Sequence, residues 1–191
     1  MRKPRPGGRT AQTRAAVFAA VESLLEEKDP GSISFTEIAE RAGVAATSLY
    51  RRWGQVRTLL MEVAVERLMQ DWPLPDTGTL EGDLNAWTTR IAASLSNPHG
   101  SIFFRVYVGT APSAGEDSSG RMAAVMRRLE QIGAMLDRAR ARGEKTPHVF
   151  EVTDHLLAPL YMRTLFGAPV DEQAAKGLVT YLLGYVALRE G

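Results

Sequence analysis

The sequence of 191 residues contains no cysteine, only three histidines and few aromatic side chains, which make up 7% of the chain. Without cysteine, neither a disulfide nor a thiolate zinc site can form, and the composition fits a reducing compartment. No apolar run approaches the roughly 18 residues of a membrane span. The basic start, MRKPRPGGR, is not followed by the apolar segment of a secretory signal. We therefore expect a cytoplasmic protein.

The net charge is only +1, but the charges are unevenly distributed along the chain. Residues 1–60 carry ten Lys and Arg against six Asp and Glu, whereas residues 61–191 carry thirteen against sixteen. This asymmetry is typical of a phosphate-binding head on a near-neutral body, although ordinary solvated surface also produces differences of this size. With 45% hydrophobic residues, the chain can bury one substantial core or two small ones, and its length favours two.

Residues 34–53, SFTEIAERAGVAATSLYRRW, predict two short helices joined by a tight turn. Ser34 and Glu37 form a capping box that starts the first helix, and Gly43 supplies the positive φ that the turn requires. The second helix, from about Ala46 to Arg52, presents hydroxyl and guanidinium groups, which suit base edges and phosphates. We interpret it as a recognition helix that reads DNA. A helical hairpin within a core is the alternative, because small and apolar residues at helical spacing are common.

Residues 1–9 combine four basic side chains with two Pro, two Gly and no acid, which predicts a flexible arm. Such an arm could place Arg5 or Arg9 against phosphates or in the minor groove, or it could be a solvated tail. Within the recognition helix we expect Thr47 and Ser48 to contact base edges. The full set of predicted DNA-binding residues is Arg9, Ser34, Thr36, Ala45, Ala46, Thr47, Ser48, Tyr50, Arg51, Arg52 and Arg57.

The segment from about Thr10 to Met69 resembles the N-terminal domain of TetR-family transcriptional regulators. The resemblance rests on a small-residue turn followed by Leu-Tyr, a basic pair and an aromatic residue, here residues 49–53, LYRRW. It implies a ligand-responsive repressor that binds a near-palindromic DNA operator as a homodimer. Many members carry a Lys near the start of the next helix that contacts a phosphate. Val56 stands at that position here, so Arg57 or the helix N-terminus would have to replace the contact.

Hydrophobic periodicity predicts an all-α fold of about nine helices, with a three-helix helix-turn-helix domain before a larger helical domain. The expected organisation is an arm at 1–9, a DNA-binding domain at 10–55 (about 10–70 in the family's sense), and an effector-binding and dimerisation domain at 56–191. Pro159 should bend its helix. The predicted helices cover about 10–28, 34–41, 46–52, 56–72, 80–96, 101–110, 121–142, 147–166 and 172–189, with a polar loop at 112–120.

The family resemblance also implies a mostly apolar cavity for a small apolar or amphipathic effector of unknown identity. Aromatic and Met residues at helical spacing would serve equally as plain core. The residues on the helices that enclose such a cavity in similar proteins are Trp72, Trp87, Ile91, Phe103, Phe104, Tyr107, Met122 and Met126, with His99, Arg105 and Arg90 as candidate polar contacts.

The last two predicted helices are apolar over more than one face, which indicates a partner beyond their own domain. We expect a homodimer in which each chain gives two helices to a four-helix interface, as in TetR-family proteins. Residues 142–144 and 157–163 also resemble the C-terminal domain of an actinobacterial branch of the family. The candidate interface residues are Val152, Leu156, Leu160, Leu178, Tyr181, Leu182 and Tyr185.

No phosphate loop, nucleophile elbow or paired catalytic motif is present, and we predict no enzymatic activity and no cofactor. His148, Glu151 and His155 share a helical face and could in principle bind a metal. That face is expected to dimerise, so we predict no metal site. Two alternatives to a regulator stay open: a constitutive DNA-organising protein without an effector, and a small-molecule-binding protein that has lost DNA binding, at which Val56 hints.

Overall fold

The computed structural model of the chain describes residues 8–111 and 118–189, and it describes only the backbone of residues 8, 9, 98 and 99. Within these residues the fold is entirely helical, with nine helices, one 3-10 turn and no strand, which confirms the predicted fold class. The helices are α1 (Gly8–Glu27), α2 (Phe35–Ala42), α3 (Ala46–Trp53), α4 (Val56–Asp71), α5 (Leu80–Ser96), α6 (Pro98–Gly109), α7 (Ser119–Ala141), α8 (149–165) and α9 (Glu172–Arg189).

The turn between α2 and α3 forms as the local sequence predicts. The backbone N–H of Ser34 donates to Glu37 Oε2 at 2.9 Å, and the N–H of Glu37 donates to Ser34 Oγ at 3.3 Å, which completes the capping box. Gly43 ends α2 with φ +66°, a backbone conformation that glycine adopts without strain. The N–H of Val44 then donates to the Ala39 carbonyl and closes the turn.

A three-helix unit forms because α1, α2 and α3 each bury one apolar stripe against the others. Val17, Val21 and Leu24 of α1 pack with Ile38 of α2 and Leu49 of α3, and all five are almost fully buried. By the area rule, each such side chain stabilises the fold by roughly 1.5–3 kcal/mol relative to full exposure. The short helices α2 and α3 are therefore held mainly by α1 and by the start of α4.

Helix α4 connects this unit to the rest of the protein. It follows α3 after Gly54 and Gln55, packs against α1 and α3 at its start, and then packs extensively against α6. A single hydrophobic cluster runs without a break from α1 to α9 through the buried side chains of α4. A displacement of α4 in the second half of the protein can therefore reach α3 through packed side chains.

The larger half of the protein is a bundle in which α5 packs mainly on α9 and α6, and α7 packs on α8, α5 and α4. The start of α5 is held from a distant part of the chain, because the N–H of Leu80 donates to Glu144 Oε2 at 2.7 Å. Among the described residues, no helix combines the length and the apolar character that crossing a membrane requires.

Helix α8 contains the irregularity that Pro159 predicts. It runs as α-helix over Val149–Val152, as a π turn over Thr153–Leu157, and again as α-helix over Ala158–Leu165. In the π turn the N–H of Ala158 donates to the carbonyl of Thr153, five residues back. Proline has no N–H and its ring crowds the carbonyl four residues earlier, and the wider turn relieves that crowding.

Most predicted helix boundaries agree with the structure to within two residues. Helix α6 begins at Pro98, three residues earlier than predicted, since proline is well accommodated in a first helical turn. Residues 112–117 of the predicted polar loop lie outside the described residues, and Ser119 already belongs to α7. Of the predicted arm at 1–9, residues 1–7 and the side chain of Arg9 also lie outside them, whereas the backbone of residues 8 and 9 already belongs to α1.

Candidate nucleic-acid interface and ligand cavity

Helix α3 turns one face inward and exposes the remainder. Leu49 and Trp53, four residues apart and therefore on the same side of the helix, are 1% and 8% exposed. The other side chains of α3 are exposed apart from half-buried Ala46, as are Ala45 just before the helix and Thr36 on α2. The exposed polar residues of α3 are Thr47, Ser48, Tyr50, Arg51 and Arg52.

Tyr50 is held by its ring and not by its hydroxyl. Its ring meets that of buried Phe35 edge to face, with 4.7 Å between centroids and 75° between planes. Tyr50 nevertheless stays 56% exposed. An edge-to-face aromatic contact fixes the direction of the ring, so the phenol is presented on the surface in a defined orientation.

Arg51 and Arg52 carry the uncompensated positive charge of this surface, because neither has a carboxylate partner among the described residues. The other cations of the three-helix unit whose side chains are described are paired. Arg14 binds Glu62 and Glu66, Lys28 binds Glu37, and Arg41 binds Glu27. The Arg52 guanidinium lies 4.8 Å from the centre of the Trp53 ring, a cation–π arrangement that keeps it close to the helix.

These ion pairs lower the pKa of their carboxyl groups. The hydrogen bond from the Lys28 ammonium, followed by the bonds from Ser34, lowers the pKa of Glu37 from 4.5 to about 2. The hydrogen bond from Arg14 lowers the pKa of Glu66 in the same direction. Both carboxylates are therefore charged at neutral pH and neutralise the cations beside them. The positive potential that remains is concentrated on α3.

Ser34 and Arg57 require a correction, because the structure uses their polar groups elsewhere. The Ser34 hydroxyl belongs to the capping box and donates to Glu37 Oε2 at 2.8 Å. Arg57 is half-buried, and its Nη2 donates at 2.8 Å to the Ala111 carbonyl just beyond α6. Val56 is partly buried against the core. Part of the Arg57 guanidinium, which was predicted to replace the phosphate contact at Val56, is therefore engaged within the protein.

The end of α3 is fixed to α4 by a contact that the sequence did not reveal. The Trp53 indole Nε1 donates at 2.6 Å to Glu62 Oε2, and the other carboxylate oxygen of Glu62 accepts from Arg14 at 3.0 Å. One carboxylate thus joins α1, α3 and α4. No periodic pattern relates a tryptophan at the end of one helix to a glutamate within the next.

A second candidate site is a mostly apolar cavity of about 270 Å³ between α4, α6, α7 and α8. This volume is close to the lower end of the roughly 300–1,000 Å³ of small-molecule sites. A larger open cleft beside the α3–α4 turn is lined mainly by polar residues and glycines, so it is the poorer match for an apolar molecule. The cavity is lined by Val65, Leu68, Met69, Trp72, Phe104, Tyr107, Ala124, Val125, Arg128, Leu129, Thr153, Asp154, Leu157, Ala158 and Tyr161.

Of the eight predicted cavity residues, Trp72, Phe104 and Tyr107 lie in its wall. The other five do not line this cavity. Trp87, Ile91 and Phe103 are buried in the core but do not line the cavity. Trp87 and Ile91 lie on α5, which is not part of the cavity wall, and Phe103 lies on a different face of α6 from the lining residues Phe104 and Tyr107. Met122 and Met126 are 56% and 48% exposed on the outer face of α7.

Of the three candidate polar contacts, the two whose side chains are described, Arg105 and Arg90, do not line the cavity. Arg105 donates to the Ser101 hydroxyl at 2.9 Å, and Arg90 is exposed on α5. The side chain of His99 lies outside the described residues.

The sequence prediction missed four polar lining residues, Arg128, Thr153, Asp154 and Tyr161, of which Arg128 and Tyr161 have shifted pKa values. Arg128 Nη1 donates to the Trp72 carbonyl at 2.9 Å, and its Nη2 donates to the Leu68 carbonyl at 3.3 Å. Burial lowers the pKa of the Arg128 guanidinium and raises the pKa of the Tyr161 phenol. The sequence did contain a signal for Arg128, which lies four residues after Ala124 and one before Leu129. This spacing places a cation on the apolar side of α7.

The predicted dimer contacts also require a correction. Val152, Leu156, Leu160 and Leu182 are fully buried within one chain and cannot touch a second. They form the intrachain contact between α8 and α9, while Leu178 is half-buried at its margin. Tyr181 and Tyr185 are exposed, at 65% and 45%. The other exposed large apolar residues of this region are Phe150, Met162, Leu165, Phe166 and Leu188.

The possible metal ligands of α8 are engaged in other contacts. Glu151 accepts hydrogen bonds from the N–H of His148 at 2.7 Å and from Arg189 at 2.6 Å. The His155 ring lies 6.1 and 6.0 Å from the rings of Tyr181 and Tyr185. Across the described ranges, no three His, Cys, Asp or Glu side chains are grouped to hold a metal ion.

Comparisons with known proteins match both halves of the chain. Residues 17–63 match the family described as bacterial regulatory proteins, tetR family, and residues 74–182 match the tetracyclin repressor-like C-terminal domain. The transcriptional regulator AqdR of Rhodococcus erythropolis is 33% identical over 149 residues, which cover 75% of this chain and 72% of AqdR.

Two further relatives cover nearly the whole chain. The uncharacterized regulator YdeS of Bacillus subtilis strain 168 is 25% identical over 182 residues, which cover 94% of this chain and 92% of YdeS. The crystal structure of the TetR-family regulator SCO0332 superposes with a TM-score of 0.74 at 26% identity, covering 91% of this chain and 97% of that one.

Proposed function

The chain belongs to the TetR family of bacterial DNA-binding transcriptional regulators, which are not enzymes, and we propose that it is a ligand-responsive repressor that binds a near-palindromic operator as a homodimer. It would act in the cytoplasm, where bacterial DNA lies. The proposal rests on the exposed face of α3, which presents hydroxyl groups and two arginines without carboxylate partners. The opposite face of the helix is anchored in the core by Leu49 and Trp53.

The residues of α3 divide into base-reading and phosphate-binding groups in this proposal. Thr47 and Ser48 lie in the first turn of the helix, where recognition helices meet base edges, with Ala45 and Ala46 beside them. Short hydroxyl side chains can donate to or accept from base edges. The contacts of these two residues together set the preferred sequence. The positively charged end of α3 then lies along the phosphate backbone of the DNA.

Phosphate contacts come from Tyr50, Arg51 and Arg52, with Thr36 on α2 as a neutral donor. The two guanidiniums are free of carboxylates, so they can exchange hydration for phosphate without breaking an internal ion pair. Ser34 and Arg57 receive no role at DNA, because their polar groups are bonded within the protein.

Dimerisation is proposed through an apolar surface on α8 and α9. We define the α8–α9 patch as Phe150, Met162, Leu165, Phe166, Tyr181, Tyr185 and Leu188, all of them exposed. His155 lies against both tyrosines, so the exposed stripes of the two helices are adjacent. Two such patches facing each other would form a four-helix interface with two-fold symmetry. That symmetry would place the recognition helices roughly 34–36 Å apart, or at a multiple of that distance, in successive major-groove half-sites.

The apolar cavity is proposed as the effector site because α4 forms one of its walls. Val65, Leu68 and Met69 line it from the same helix that begins beside α3. A ligand that fits better when α4 is displaced would favour the conformation with mis-spaced recognition helices. Only the difference in affinity between the two conformations can release the operator.

Selection of bound fragments from a bacterial genomic library tests the DNA-binding proposal. We expect a few discrete sites, each a near-palindrome, and binding by two copies of the chain in sedimentation experiments. The double variant R51A/R52A should lose this binding, while Arg90→Ala, which removes an exposed arginine from α5, should retain it. Many unrelated fragments would instead indicate a DNA-organising protein, and no bound fragment would indicate a binding protein that has lost its operator.

A further inference from the structure

We propose that the ligand of the cavity is an organic acid bound as its anion, with an apolar body in the cavity and its charged group on Arg128. The inference rests on the proposed role of the cavity as an effector site and names the chemical class of that effector. It is carried by the position of an unpaired cation in an otherwise apolar wall.

Arg128 is the cation that the cavity leaves without a counter-charge. The half-buried guanidinium donates to the carbonyls of Leu68 and Trp72 and lies 5.8 Å from the centre of the Trp87 ring, and no carboxylate of the described residues lies within ion-pair distance. Asp154, the one acidic residue in the wall, is exposed and accepts its hydrogen bond from Thr153. Buried charges are ordinarily paired, because an isolated ion loses its hydration. An anionic ligand would supply the missing partner.

The wall next to Arg128 also contains further hydrogen-bond donors. A guanidinium carries five N–H groups, and the two carbonyls account for two of them. The Nε1 of Trp72, whose side chain belongs to the same wall, is buried without a partner. The Tyr161 phenol, whose pKa is raised by burial, is a further donor in the wall. A carboxylate, which only accepts, matches this set better than an amine or an alcohol.

The same geometry connects an anion to the DNA-binding end of the protein. Leu68 and Trp72 are at the end of α4, where the Leu68 carbonyl also accepts from the N–H of Trp72 at 3.2 Å and the Trp72 carbonyl also accepts from Trp87 Nε1 at 3.1 Å. Arg128 adds a second donor to each carbonyl and sits at the negative end of the helix dipole. A carboxylate can bind the N–H groups of Arg128 that the carbonyls leave free, so the acid would be held by the same guanidinium that joins α7 to the end of α4.

A matched pair of probes tests the inference on the intact protein. We choose 2-naphthoate and 2-naphthamide, which share size and shape and differ in charge, and measure binding by calorimetry and by quenching of tryptophan fluorescence. We expect naphthoate to bind at least tenfold more tightly than naphthamide. Arg128→Met should reduce that ratio to about one, and Arg128→Lys should restore part of it. Arg127→Met removes the neighbouring exposed arginine of α7 and should leave the ratio unchanged.

Three results would overturn the inference. They are equal or tighter binding of the amide by the native protein, binding of neither probe, and a preference for the acid that persists in a folded Arg128→Met protein. The comparison of the two probes on the native protein does not depend on any variant folding. Operator binding is measured separately on the same preparation. If operator binding is lost while naphthoate is still preferred, only the proposed function is contradicted. If operator binding is retained and the two probes bind equally well, only the inference of an acidic ligand is contradicted.

Discussion

Trp53, the last residue of α3, donates its indole hydrogen to a carboxylate oxygen of Glu62 on α4, with 2.6 Å between the two heavy atoms. Arg14 of α1 binds the other oxygen of the same carboxylate at 3.0 Å. Because α3 has only eight residues, a contact at its last residue constrains the direction of the whole helix. Glu62 therefore sets how the recognition surface sits on the helix that leads to the ligand cavity.

Glu62→Ala should weaken operator binding and lower the free energy of unfolding by about 1 kcal/mol, since it removes hydrogen bonds to a partly exposed charged group. Urea unfolding and fluorescence anisotropy with operator DNA measure the two effects. In a double-mutant cycle with Trp53→Phe, the two changes should not be additive, because they remove the same bond. Additive effects would show that the indole and the carboxylate act independently.

Tyr50→Phe should weaken binding to all DNA sequences by about 1 kcal/mol, the size of a lost hydrogen bond to a charged acceptor. The phenyl ring keeps its edge contact with Phe35, so the stability of the protein should not change. Anisotropy titrations with the operator and with an unrelated duplex measure the loss. A change of sequence preference without general weakening would contradict the phosphate assignment.

Arg52→Ala should make affinity less dependent on salt, with the slope of log K against log salt smaller by about one for each protomer. The reason is that one unpaired guanidinium no longer displaces counterions from DNA. The matched control is Arg90→Ala on α5, which should leave the slope as it is in the native protein. An unchanged slope for Arg52→Ala would place this side chain on Trp53 in the complex as well.

Tyr185→Glu should produce monomers, because it places a charge within the α8–α9 patch. Sedimentation velocity should then report half the native mass, and operator binding should weaken far more for two half-sites than for one. Met122→Glu is the control, since Met122 is similarly exposed and apolar but lies on α7 outside the patch. A dimer that persists in Tyr185→Glu would move the interface elsewhere.

Acid should destabilise the start of α2 through Glu37. Its pKa is depressed from 4.5 to about 2 by the Lys28 ammonium and the Ser34 bonds, so the carboxylate contributes stability above pH 4.5. This contribution is lost as the pH falls from about 4.5 through 2. The difference in unfolding free energy between the native protein and Glu37→Gln should therefore be largest near pH 6 and vanish near pH 2. A difference independent of pH would contradict the assignment.

The helix-turn-helix could be predicted closely because its signals are local. The capping box joins residues three apart, and the positive φ of Gly43 follows from the residue type itself. Leu49 and Trp53 lie one helical turn apart. The irregularity before Pro159 and the apolar character of the last two helices are local in the same sense. Such features depend on neighbours in the chain, so they can be inferred without knowing how the helices pack.

The residues that line the cavity and those of the α8–α9 patch could not be predicted from local signals of this kind. Met126 and Arg128 are two residues apart, and a rotation of about 200° separates them on α7, so the direction in which the helix packs decides which one lines the cavity. On α9, Leu182 and Tyr181 are adjacent and both apolar, yet one is buried within the chain and the other is exposed. Periodicity finds an apolar face but does not identify the neighbour that covers it.

The sequence by itself determined the helical fold, the turn that presents α3 and the charge on its exposed face, because each follows from residues within one or two helical turns. Only the tertiary structure decided that Glu62 fixes Trp53, that Arg57 is bonded to the Ala111 carbonyl, and that Arg128 lies unpaired in the cavity wall. Those relationships join helices far apart in the chain, and they exist only once the packing of the core has set the distances between them.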